Sequence, residues 1–133
     1  MTPVFIDTSA ILALLNRTDR VHETAKRIFE GLAARRAVLL TTSYILVETY
    51  ALLGRRFGPK AAREFREKFV PLLDVTWVDE DLHERALDEW LRRDSRQLSL
   101  VDVVSFLVMR RKGISEAFGF DRHFDAEGFS LLS

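Results

Sequence analysis

Apolar residues run unbroken from Val4 to Ile6 and stop at Asp7. After Thr8 and Ser9 they resume at Ala10, Ile11, Leu12, Leu14 and Leu15. A short run of β-branched and aromatic residues reads as a buried strand, and the later spacing as a helix. The opening pattern is thus strand, polar turn, helix, with a carboxylate at the carboxyl end of the strand. In open α/β sheets that edge is where ligands bind. The same residues also suit a helix N-cap at Asp7, Thr8 or Ser9.

The alternation continues along the chain. Val21, Ala25, Ile28, Phe29 and Leu32 mark the apolar face of a helix over residues 20–36, with Asp19 as its N-cap. Residues 37–40 read as a second strand, Thr41, Thr42 and Ser43 as a polar joint, and residues 44–57 as a helix. Gly58-Pro59 restarts the chain, with Pro59 suited to a first helical turn. The next helix covers residues 61–73 and is bent near Pro71. Residues 75–78 form a third strand, and Asp79 caps a helix running to Arg93. Residues 100–111 form a further helix stopped by Gly113, and residues 116–120 and 129–132 supply the last two strands. Strands alternating with helices imply an α/β protein. The expected fold has three layers, α/β/α, around a mostly parallel central sheet of about five strands.

Length and composition narrow this further. The 133 residues suit one domain spanning residues 1–133, and 47% apolar content is enough for a sizeable core. Twenty basic and 20 acidic residues cancel, so any attraction to nucleic acid must be local. There is no cysteine, which removes disulfides and thiolate metal sites. No apolar run is long enough to cross a bilayer and no signal segment is visible, so a cytoplasmic location is expected.

Candidate chemistry rests on acids in unusual places. Asp7 and Asp121 both follow strands, and share one sheet edge if those strands are neighbours. Glu48 and Asp102 each interrupt an apolar helical stretch, where a carboxylate is costly unless paired, hydrogen-bonded or bound to a metal. Local alternatives exist: Glu48 pairing with Arg55 or Arg56, and Asp102 closing a capping box with Ser99. Clustered carboxylates repel one another. A hard divalent ion such as Mg²⁺ or Mn²⁺ offsets that repulsion, and it supplies what phosphodiester cleavage needs.

Residues 4–10, 42–49, 98–102 and 117–124 carry a family pattern. In these stretches the chain resembles the PIN-domain ribonucleases, most closely the VapC-type toxins of type II toxin–antitoxin pairs. The resemblance covers nearly the whole chain; Val101 stands where the family often has threonine. It implies a metal site of Asp7, Glu48, Asp102 and Asp121 holding Mg²⁺ or Mn²⁺. It also implies accessory hydroxyls at Thr8 or Ser9 and at Ser99, and a ribonuclease that cleaves RNA with an ion-activated water. The same likeness suggests a homodimer and a cognate antitoxin protein. The alternative from another class is a non-catalytic PIN-fold module that binds protein or RNA.

Other readings fit less well. A haloacid-dehalogenase-type phosphatase needs an acid at position 9, which is Ser9, and a nucleotide-binding Rossmann domain needs glycines after the first strand. Arg122, next to Asp121, is the best basic candidate for holding RNA phosphate. His22 and His83 read as solvated, and His123, beside Asp121, as packing at a helix start ahead of the alternative of touching substrate phosphate. Tyr44, Leu52, Leu53, Phe57, Phe65 and Phe69 exceed what two helices need for one core, and are the expected pairing surface of a two-fold dimer.

Overall fold

Val4, Phe5 and Ile6 have no exposed surface in the computed structural model, which describes residues 2–133. They belong to β1 (Pro3–Ile6), the middle strand of a five-stranded sheet of order β3-β2-β1-β4-β5 in which every pairing is parallel. A strand covered on both faces must be apolar throughout, as this one is. Helix α1 (Thr8–Leu15) follows directly. Then come α2 (His22–Ala34), β2 (Val38–Thr42), α3 (Ser43–Phe57) and α4 (Pro59–Glu64). A π-helical turn (Phe65–Phe69) and a 3₁₀ turn (Val70–Leu72) lead to β3 (Leu73–Thr76). The chain closes with α5 (Glu80–Arg93), α6 (Leu100–Lys112), β4 (Glu116–Phe118), α7 (His123–Ala126) and β5 (Ser130–Leu131). The expected α/β layering with a parallel five-stranded sheet is borne out.

The strand order decides where a site can form. From β1 the chain builds outward through β2 and β3, then returns to add β4 and β5 on the other side of β1. The order therefore reverses between β1 and β4, leaving a crevice at their carboxyl ends. Phe5 pairs with Ala117 and Ile6 with Phe118 across this junction.

Several boundaries differ from the expected ones. β2 runs on through Thr41 and Thr42, both fully buried, because Thr41 Oγ1 donates to Ile6 O at 3.0 Å. Thr42 then caps α3, accepting from Ile45 N at 3.2 Å. β3 begins at Leu73 rather than Val75, its register set by pairing Leu73 with Leu39 and Thr76 with Thr42. Trp77 is left beyond the strand and 73% exposed. Asp19 does not cap α2: its carboxylate accepts from Val21 N at 2.9 Å, making a turn ahead of that helix. The helix expected over 61–73 ends at Glu64, giving way to the wider and then tighter turns that carry Pro71 into β3. β4 stops at Phe118 and β5 is two residues long.

The aromatic residues form two clusters. Phe124 packs against Phe5, Phe106 and Phe129 at centroid separations of 6.0, 5.3 and 6.4 Å, which ties α7 to β1 and α6. Phe65 packs against Tyr50 and Phe69, and Phe69 against Phe29. This second cluster corrects the expected dimer surface: Leu53, Phe65 and Phe69 are core residues, and Phe57 is the exposed aromatic of the six. No helix among the described residues is long and apolar enough to cross a membrane.

Phe124 is fully buried in a four-residue helix that has no side-chain N-cap, and its ring packs that helix onto β1 and α6. Phe124→Ala is expected to cost about 3–5 kcal/mol of stability. Urea unfolding followed by tryptophan fluorescence measures it.

Candidate metal centre

Asp7 leaves β1 in extended conformation (φ −98°, ψ 161°) and caps α1, its Oδ2 accepting from Ser9 N at 3.4 Å and from Ser9 Oγ at 2.9 Å. The Ser9 hydroxyl also accepts from Phe120 N at 2.8 Å. One side chain thus joins the turn after β1 to the turn after β4, beside a direct bond from Asp7 N to Phe118 O at 3.0 Å. Gly119 permits the approach. A Cβ there would lie 3.1 Å from Asp7 Cβ and 3.3 Å from Ser9 Oγ, tighter than side chains tolerate without a shift.

Asp7 is 5% exposed. Burial pushes its carboxyl up from 3.8 to about 7, the Ser9 hydrogen bonds oppose this, and the charges of Asp102 and Glu48 add to the rise. Those two acids therefore lie near enough to Asp7 for their charges to act on it.

Asp102 does what its local reading proposed. It closes a capping box at α6, with Ser99 N donating to Asp102 Oδ2 at 3.0 Å and Asp102 N to Ser99 Oγ at 3.1 Å. It also lies among the other acids, and its carboxyl is raised by burial and then by the charge of Asp121, while Ser99 and His123 oppose the rise. Trp90 Nε1 donates to Leu98 O at 2.7 Å, holding the loop that delivers Ser99 and Asp102.

Asp121 lies three residues beyond β4, and its Oδ1 accepts from His123 N at 2.9 Å. His123 Nδ1 is 2.8 Å from that oxygen and 3.8 Å from Asp102 Oδ2. Donor atoms of Asp102, Asp121 and His123 all lie within 4.8 Å of one another. His123 is the residue that the sequence reading assigned to packing. Its signal was the Asp-x-His spacing at a helix start, which returns the ring to the acid two residues before.

Glu48 is half-buried on α3 and, among the described residues, makes no ion pair with Arg55 or Arg56, both exposed. Thr8 is buried and accepts from Thr49 Oγ1 at 3.4 Å, linking α1 to α3. Arg122 is exposed and lines a cavity of about 360 Å³ with Thr24, Phe120, Asp125 and Leu132. His83 is engaged with the Tyr44 hydroxyl, and His22 Nδ1 lies 2.7 Å from Ala13 O, so neither ring is simply solvated.

Nearby arginines are committed elsewhere. Arg93 forks onto Glu127 at 2.6 and 2.8 Å, and Arg110 reaches the same carboxylate at 2.9 Å. These bonds, Arg93 foremost, push Glu127 down to about 2 and fasten the end of α7 to α5 and α6. Among the described residues, Asp7, Asp102 and Asp121 have no arginine or lysine partner, and His123 Nδ1 is buried without a hydrogen bond of usable geometry. The carboxylates of Asp102 and Asp121 with the ring nitrogen of His123, their donor atoms within 4.8 Å of one another, fit a divalent cation. When bound, such an ion polarises a phosphoryl oxygen and lowers the pKa of an attacking water.

Comparison with known proteins agrees with this geometry. Residues 4–129 match the family described as PIN domain. The chain is 42% identical over 127 residues to the 23S rRNA-specific endonuclease VapC20 of Mycobacterium tuberculosis strains CDC 1551 and H37Rv, covering 95% of each protein. The crystal structure of Mycobacterium tuberculosis VapC20, described as a sarcin-ricin loop cleaving toxin, superposes with a TM-score of 0.82 at 41% identity over 95% of both chains. FitAcB from Neisseria gonorrhoeae (TM-score 0.71, 11% identity, 98% and 96% covered) shares the fold. So does DNA-bound VapBC from Salmonella typhimurium (TM-score 0.71, 14% identity, 99% and 98% covered).

A carboxyl raised on folding binds more protons in the native than in the unfolded chain between the two pKa values. Stability from Asp7 is therefore fully present below about pH 4 and lost as pH rises toward 7. In EDTA, Asp7→Asn is expected to match wild type near pH 4 and to exceed it by a few kcal/mol near pH 7. Chemical denaturation of both proteins across this range tests it, and curves that stay parallel contradict it.

Proposed function

The chain belongs to the PIN-domain family, among its VapC-type endonucleases, and on that premise we propose that it is a Mg²⁺- or Mn²⁺-dependent ribonuclease toxin. The carrying observation is the cluster of Asp102, Asp121 and His123, whose donor atoms lie within 4.8 Å of one another, with Asp7 buried at the end of β1 and near enough to feel the charges of Asp102 and Glu48. In this reading the four carboxylates hold the ion. Ser9 aims Asp7, Ser99 aims Asp102, and Thr8 with Thr49 keeps α1 and α3 in step, so that Asp7 and Glu48 stay opposed. Arg122 binds the RNA backbone at the margin, where positive charge offsets the repulsion between acids and phosphate.

The substrate is proposed as large-subunit ribosomal RNA at an exposed stem-loop, because the 42%-identical relative is named for 23S rRNA. The protein acts in the cytoplasm, where ribosomes are, and is held in check by a cognate antitoxin protein. It pairs as a homodimer through the outer side of α3, where Val47 is 66% and Phe57 49% exposed. Exposed apolar side chains grouped on one helix mark such contacts.

Purified protein incubated with bacterial ribosomes is expected to cut 23S RNA in Mg²⁺ or Mn²⁺ and not in EDTA. Asp7→Asn and Asp102→Asn should each reduce cleavage by at least about 100-fold, the upper end of what outer-shell changes at metal sites cost. Cleavage that survives EDTA counts against the reading. For assembly, sedimentation velocity at micromolar protein should show a dimer for wild type and a monomer for Phe57→Asp.

A further inference from the structure

We propose that His123 supplies a nitrogen donor, through Nδ1, to the ion that Asp102 and Asp121 hold, and that this mixed donor set makes the site prefer Mn²⁺ to Mg²⁺. The inference rests on the metal-dependent reading above and adds the identity of a ligand and of the ion.

Three observations carry it. The first is aim. His123 is the first residue of α7, and its backbone N–H bonds Asp121 Oδ1 at 2.9 Å, which folds the ring back over that carboxylate. Phe124, fully buried beside it, and the Arg93–Glu127–Arg110 ion pairs at the other end hold α7 rigid. A ring so supported is pre-positioned rather than free to swing.

The second is spacing. Nδ1 lies 2.8 Å from Asp121 Oδ1 and 3.8 Å from Asp102 Oδ2. Adjacent donors around an octahedral ion with bonds near 2.1 Å are about 3 Å apart.

The third is the state of the nitrogen. The His123 side chain is 30% exposed, yet Nδ1 has no exposed surface and no hydrogen bond of acceptable geometry. The nearest acceptor already takes the backbone N–H. A buried ring nitrogen without a partner is costly. With the proton on Nε2, the Nδ1 lone pair faces two carboxylates, an arrangement that a cation between them relieves.

Imidazole nitrogen binds first-row transition ions better than Mg²⁺, which prefers oxygen and water. An all-carboxylate site shows little preference beyond ionic size, whereas one nitrogen donor tilts the balance toward Mn²⁺.

The test uses Mn²⁺ and Mg²⁺ alone, without RNA. Pulsed EPR of the Mn²⁺-loaded wild type is expected to show the ¹⁴N modulation of a directly bound imidazole, absent from His123→Asn. Asparagine keeps a polar atom near the position of Nδ1 but offers amide oxygen. By calorimetry His123→Asn should lose about tenfold in Mn²⁺ affinity while Mg²⁺ affinity changes less than about twofold. Mn²⁺-loaded wild type without ¹⁴N modulation overturns the proposal, whether or not the variant folds. Equal losses for both ions also overturn it, since they mark His123 as only orienting Asp121. Asp102→Asn separates the two levels of the argument. If it binds both ions as wild type does, or if wild type binds neither, the metal-dependent reading itself fails.

Discussion

Keeping the Asp7 carboxylate out of water is the constraint around which the rest of this structure is arranged. Burial, with the charges of Asp102 and Glu48 adding to it, lifts its pKa to about 7 even against the two hydrogen bonds from Ser9. The carboxylate stays where it is because three features meet on it. β1 and β4 are neighbours, so the turns after both strands lie side by side. Ser9 serves both turns at once through a single hydroxyl. Gly119 presents no side chain where one would collide with Asp7. None of these would be needed for packing alone, and a site strained in this way is where function is expected.

The chain treats its acids in two opposite ways. Glu127 receives bonds from Arg93 and Arg110 and is pushed down to about 2, which locks three helices together. Asp7 and Asp102 are pushed up, and face other acids rather than arginines. The first kind of acid stabilises the fold; the second stores repulsion that a cation relieves. The locked network also serves the crevice, because it fixes α7, the helix that begins at His123.

Asp102 shows that a helix cap and a place in an acidic cluster need not compete. Its Oδ2 accepts the Ser99 N–H as the return half of a capping box, and a carboxylate oxygen retains a further lone pair while its partner oxygen is untouched by the cap. The capped oxygen, Oδ2, is the one that lies 3.8 Å from His123 Nδ1. The local explanation for this residue was correct, and it explained only part of the position.

What the linear chain determined by itself lies within a few residues of each position. Hydrophobic period separated β1 from α1, and placed α3, α5 and α6 to within a residue. The caps at Asp79, at Ser99 with Asp102, and at Gly113 are local hydrogen-bonding motifs and were legible for that reason. Glu48 and Asp102 were visible because a charge on an apolar face breaks the pattern around it, and Asp7 and Asp121 because each follows a strand. Only the tertiary structure decided which strands are neighbours, since pairing is settled by burial between distant segments. That choice put Asp7 beside the turn after β4, carried Thr41 and Thr42 into the sheet and set β3 two residues early. It buried Phe65 and Phe69, which in one dimension were indistinguishable from an exposed face. His123 shows the same limit. An imidazole next to one acid is unremarkable along the chain, and its meaning arises when α6 brings Asp102 to within 3.8 Å of it.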